Sequence, residues 1–141
     1  MRLLVLLLCI TSFASGQVTK FKTDTIEVYD KSGTVKKYKC EATFTYTHYT
    51  FMLLCKDRRV YDFLIPGTSF MDLDMLAFTD TGYSVDMNDS TMNVNPSDTT
   101  KTNVGIVYQT TDGHAKTQLV QYVDSTGIYL IKRDKTKIKF K

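Results

Sequence analysis

The chain has 141 residues, with 18 Lys and Arg against 15 Asp and Glu, a formal net charge of +3 at pH 7 and no tryptophan. That length suits one domain with a proper core; the net charge is small but unevenly distributed, and no nucleic-acid partner is expected. Repeats of solenoid length and low-complexity linkers are absent, and the abundance of Phe, Tyr, Thr and Val favours strands.

In chain order, Met1-Arg2 is a short positive start, and Leu3 to Ile10 is an uncharged apolar run. Ala14-Ser15-Gly16 then supplies the small residues of a cleavage site. The apolar run is far short of the roughly 20 residues that a spanning helix needs. The expectation is a signal peptide over 1–16, no membrane span, and a secreted, extracellular single β domain over 17–141.

Alternation and turn residues predict strands near 24–29, 34–46, 49–55, 60–65, 73–79, 83–87, 103–109, 115–123, 127–133 and 136–140. Four turns share one form, with glycine last: 30–33, 79–82, 110–113 and 124–127. Such turns suit a type I geometry followed by a left-handed glycine. Pro66 to Phe70 and Thr91 to Thr102 read as irregular connections. Short links make sequential strands antiparallel neighbours. The expected fold is all-β, an antiparallel up-and-down barrel of about eight to ten strands, with a two-sheet sandwich as the alternative.

The stretch 38–56, YKCEATFTYTHYTFMLLCK, is nearly symmetric in residue type. Folded about Thr47 and His48, it sets Phe44 opposite Phe51, Tyr46 opposite Tyr49 and Cys40 opposite Cys55. Thr-His is a poor two-residue turn, so a loop of four or more residues about that centre is expected. Loss of Cys9 with the leader leaves Cys40 and Cys55 as the mature cysteines. Opposed positions at about 4.5–5.5 Å between Cα atoms then predict a disulfide.

Seven aspartates and no Lys or Arg occupy 60–100, whereas the last ten residues hold Lys132, Arg133, Lys135, Lys137, Lys139 and Lys141. The last three alternate with Ile138 and Phe140, as the solvent face of a final strand does. Asn88-Asp89-Ser90 is a glycosylation sequon in a polar loop. His48 and His114 sit at turns. No nucleophile elbow, metal-type His/Glu spacing or phosphate-binding glycine loop occurs, so no enzyme, metal or cofactor is expected.

Binding remains. Barrels of about eight strands can hold one small ligand among inward side chains, and tyrosine offers both a ring and a hydroxyl. The candidates are Phe44, Tyr46, Tyr49, Phe51, Tyr61, Tyr108, Tyr122 and Tyr129. Glu41, Asp62 and Asp74 are possible counterions for a cation, and each aromatic has an ordinary core role as its competitor. A fatty acid would instead want apolar walls with a basic or hydroxyl group at the mouth.

Residues 108–129, YQTTDGHAKTQLVQYVDSTGIY, resemble a late hairpin of the tick salivary lipocalins, through Tyr108, Asp112, Gly113, Tyr122 and Asp124. The resemblance covers under a fifth of the chain, which lacks that family's tryptophan near the mature start. It implies a secreted eight-stranded barrel, sequestering a small hydrophobic or amine mediator in its interior. The alternative is a filled barrel or sandwich acting through its surface, its basic last strand binding glycosaminoglycan or another acidic surface. A monomer is expected in either case.

Overall fold

The computed structural model describes residues 19–66, 75–88, 94–96, 103–110 and 117–141, with only the backbone given for 94–96. Residues 1–16, expected to be a signal peptide, and Asp74, Asp112, Gly113 and His114 lie outside the described residues.

The elements are β1 (Thr19–Tyr29), β2 (Val35–Tyr46), β3 (Thr50–Cys55), α1 (Arg58–Leu64), β4 (Leu76–Asp86), β5 (Val94–Pro96), β6 (Val104–Thr110), β7 (Gln118–Asp124), β8 (Gly127–Lys132) and β9 (Lys137–Phe140). Eight strands pair in the ring β1-β2-β3-β4-β6-β7-β8-β9, which closes through β9 and β1, and every pairing is antiparallel. The fold is an up-and-down barrel rather than a two-sheet sandwich. β5 lies outside the ring against the second half of β4, through Val85 and Val94.

Two turns form as their residues dictate. Asp30 accepts the backbone N–H groups of Ser32 and Thr34 at 2.9 Å, and Asp124 accepts those of Thr126 and Gly127 at 2.7 and 3.1 Å. The 79–82 segment is a correction. It does not separate two strands: the chain runs on as the single strand β4. Gly82 sits at φ +76°, its N–H bonded to Asp80, and the register to β6 slips between Asp80 and Ser84. A glycine with positive φ serves a bulge as well as a hairpin.

The predicted strand at 60–65 is a second correction, because it is α1. Tyr61, Phe63 and Ile65 alternate, but Val60, Tyr61 and Leu64 also share a helical face and are the buried side chains of α1. Asp57 decides the outcome by capping the helix, its carboxylate accepting the N–H of Arg59 at 2.9 Å.

The β2–β3 hairpin is displaced by two residues from the expected pairing. Tyr46 faces Phe51, Phe44 faces Leu53 and Ala42 faces Cys55. The connection is Thr47–Tyr49, closed by the N–H of Thr47 on the carbonyl of Thr50 at 2.9 Å. A shift of two preserves which face each residue occupies, so Cys40, Ala42, Phe44, Phe51, Leu53 and Cys55 all stay inside and buried.

The barrel interior is filled. Phe44 packs edge-on against Phe140 with ring centroids 4.8 Å apart. Phe51 stacks on Phe78 at 4.8 Å and meets the Tyr108 ring at 4.6 Å. Ile26, Leu53, Leu130 and Ile138 are fully buried among them. Each such side chain contributes about 1.5–3 kcal/mol through burial. α1 closes one end, where the Tyr61 hydroxyl accepts the N–H of Cys55 at 2.7 Å and donates to the carbonyl of Leu53 at 3.2 Å.

Candidate functional site

The two ends of the barrel differ. β9 stops at Phe140, paired with Ile26 and Ile128, while β1 continues back to Thr19 with only β2 beside it. On the other side, the β7–β8 hairpin runs on to Asp124 and Gly127. The gap between them is a groove of about 630 Å³, within the usual size range of small-molecule sites. Inward-facing positions at this end are uncovered: Phe21 is 50% exposed, Ile106 39% and Val123 59%.

The groove is apolar with a few polar atoms. Phe21, Tyr46, Val123, Ile128 and Phe140 supply walls, and Thr23, Gln121, Asp124, Lys22 and Lys141 the polar groups. Phe21 meets Tyr46 edge-on at 5.9 Å. Gln121 donates its side-chain N–H to the Tyr46 hydroxyl at 2.6 Å. Burial pushes the Tyr46 phenol above its usual pKa, with the nearby Tyr108 adding to the rise, so it stays protonated. Thr23 Oγ1 is buried with no hydrogen-bond partner among the described residues. Asp124, the one side-chain carboxylate lining the groove among the described residues, is held below its usual pKa by bonds from Thr126 and Gly127, and is committed to the turn.

No protein-family model, curated protein or solved structure matches the chain. Its groove is therefore interpreted on its own chemistry.

Of the candidates among the described residues, Tyr46 alone lines the groove. Phe44, Phe51, Tyr61 and Tyr108 are buried packing residues. Tyr49 is 63% exposed in the β2–β3 loop against His48, because the two-residue register shift carries it out of the ladder. Tyr122 and Tyr129 lie on the outer face, 5.8 Å apart, beside Val120 and Ile131. Glu41 is exposed and paired with Lys56, and Asp62 is exposed on α1, so neither faces an inner cavity. Asn88 is exposed and accepts the side-chain N–H of Asn103 at 2.8 Å, while the rest of its sequon lies outside the described residues. Cys40 and Cys55 are free thiols in contact, not a bonded pair, with sulfurs 2.9 Å apart. The register explains the offset, since Ala42 rather than Cys40 stands directly opposite Cys55.

Sequence reasoning missed Phe21, Thr23, Gln121 and Val123. One signal was present: Lys20-Phe21-Lys22-Thr23 alternates with period two and extends β1 toward its true start.

The basic last strand is largely engaged. Lys137 lies 4.8 Å from the Tyr29 ring centre, and Lys139 lies 5.0 Å from that of Tyr129. Glu27, buried on the outer face, takes Lys141 at 2.6 Å, Lys37 at 3.5 Å and the Tyr29 hydroxyl at 2.8 Å. The bond from Lys141, then that from Tyr29, draws its pKa down to about 2.

Proposed function

We propose that the protein binds a small amphipathic carboxylate of the fatty-acid type, held in the mouth groove rather than the interior. The observation that carries this reading is the end that the described residues leave open, where apolar side chains at inward positions surround a buried Thr23 hydroxyl with no partner among the described residues. The hydrocarbon lies against Phe21, Val123, Ile128 and Phe140. An acidic head meets Thr23, the Tyr46 hydroxyl and the nearby ammonium of Lys22. An amine is the poorer fit, since the one side-chain carboxylate among the described residues of the groove, Asp124, is committed to its turn.

In the same reading the chain is a lipocalin-like binder and not an enzyme. It is secreted after loss of residues 1–16, carries a glycan on Asn88 and works as a monomer. There Cys40 and Cys55 close into a disulfide.

The test is titration of the full mature protein with a fluorescent long-chain fatty acid, followed by NMR of the complex. Saturable binding is expected, with shifts concentrated at residues 19–23, 121–128 and 140–141. Phe21→Asp should weaken it at least tenfold. Absence of saturable binding, or shifts centred on Phe51 and Phe78, would overturn the reading.

A further inference from the structure

The outer face of the β1–β2 ladder carries three rows in which a lysine stands directly opposite a threonine. Lys20 faces Thr45, Lys22 faces Thr43 and Lys39 faces Thr25. Opposed residues hold their Cβ atoms about 4.5–5.5 Å apart, so each row offers an ammonium beside a hydroxyl. Along a strand, positions two residues apart recur about every 7 Å.

These three lysines are exposed and make no ion pair among the described residues. Neighbouring acids are largely answered by other lysines. Glu27 is held by Lys141 and Lys37, and Glu41 by Lys56. Asp24, at the irregularity between the rows, accepts the Thr25 hydroxyl at 3.1 Å. Lys137 and Lys139, stacked on tyrosines beside this face, add to the field without being free to reach outward.

We propose that this face binds a sulfated polysaccharide laid along β1 and β2. The donors form a line of repeated pairs rather than converging on a point, which matches a polymer with charges at intervals and not a single small anion. A lipid surface is the weaker fit, because the rows bear hydroxyls where an interfacial surface bears Trp, Phe or Leu. The site assigned here is the outer face of β1 and β2, not the last strand that the charge run alone suggests.

Heparin-agarose chromatography and titration with heparan sulfate oligosaccharides, using the full mature protein at 0.15 M NaCl, test it. Retention beyond that salt is expected. The triple variant K20Q/K22Q/K39Q should lose at least tenfold in affinity while keeping the wild-type circular dichroism spectrum. The variant K31Q/R58Q/R133Q, an equal change of charge elsewhere, should stay within about twofold of wild type if the site is local rather than a matter of net charge. Equal losses in both variants, or elution below 0.15 M salt, would overturn the proposal. So would lysine-dependent binding to phosphatidylserine vesicles with none to heparin.

Discussion

Cys40 and Cys55 bring their sulfurs to 2.9 Å although the strand register sets Ala42, not Cys40, opposite Cys55. The irregularity between β1 and β2 near Thr23 and Thr25 falls beside Cys40, where its strand is leaving the β3 ladder. Two inward side chains on a diagonal can thus meet without being partners.

Burial, and then the contact with Cys40, pushes the Cys55 thiol up to about 12. The Cys55 thiol should therefore resist alkylation in the reduced, folded protein at pH 8, and the pair should join under glutathione disulfide during folding, while both sulfurs are still accessible. Two S–H bonds become one S–S bond, and the oxidant leaves as two glutathione thiols. Mass mapping of the non-reduced protein should give a linked peptide two hydrogens lighter than the reduced pair. The bond should add about 2–5 kcal/mol of stability. Recovery of two alkylatable thiols only, after unfolding without reductant, would count against it.

Much of the barrel was legible because facing survives small errors of register. The hairpin at 38–56 was misplaced by two residues, yet every buried side chain kept its side, since strand periodicity is two. α1 was not legible from alternation alone: Tyr61, Phe63 and Ile65 satisfy a strand, and only the Asp57 cap distinguishes the helix. Gly82 likewise marks positive φ without saying whether the chain reverses there. The groove was hidden for a different reason. It exists because β9 ends before β1 does, a mismatch between strands over 100 residues apart that no local pattern records.

Glu27 should make stability depend on acid. Its carboxyl is drawn down to about 2 by Lys141, Tyr29 and Lys37, from an ordinary value near 4.5. The contribution is thus complete above about pH 4.5 and is lost as pH falls through 2. Exposed lysine partners limit it to about 1–3 kcal/mol. Denaturation of wild type and Glu27→Gln between pH 2 and 6 measures it. The two curves should converge toward pH 2, and a constant gap would refute the assignment.

Gly127 holds the groove's far wall. A Cβ there would lie 2.3 Å from the Phe140 carbonyl oxygen, which is backbone and cannot yield cheaply. Gly127→Ala should push the end of β9 away from β8 and cost about 1–3 kcal/mol. Chemical denaturation reads the loss, and faster amide exchange at Ile128 and Phe140 should localise it. Unchanged stability would mean that the β7–β8 turn is not packed as described.

Thr23→Val should separate stability from binding. In the free protein the Thr23 hydroxyl is buried without a hydrogen-bond partner among the described residues, which carries a cost of about 1–3 kcal/mol. Valine keeps nearly the same shape and removes that polar atom, so the melting temperature of the free protein should rise. If the hydroxyl donates to a bound carboxylate, the same change should weaken fatty-acid binding several-fold. Tyr46→Phe is the informative companion. It leaves the Gln121 amide without its acceptor, so it should lower stability and affinity together. Thermal melts with and without ligand give both quantities from one set of samples. A valine variant that is more stable and binds as tightly as wild type would show that Thr23 is a packing fault rather than a ligand group. One that is less stable would show that the hydroxyl has a partner in the folded protein.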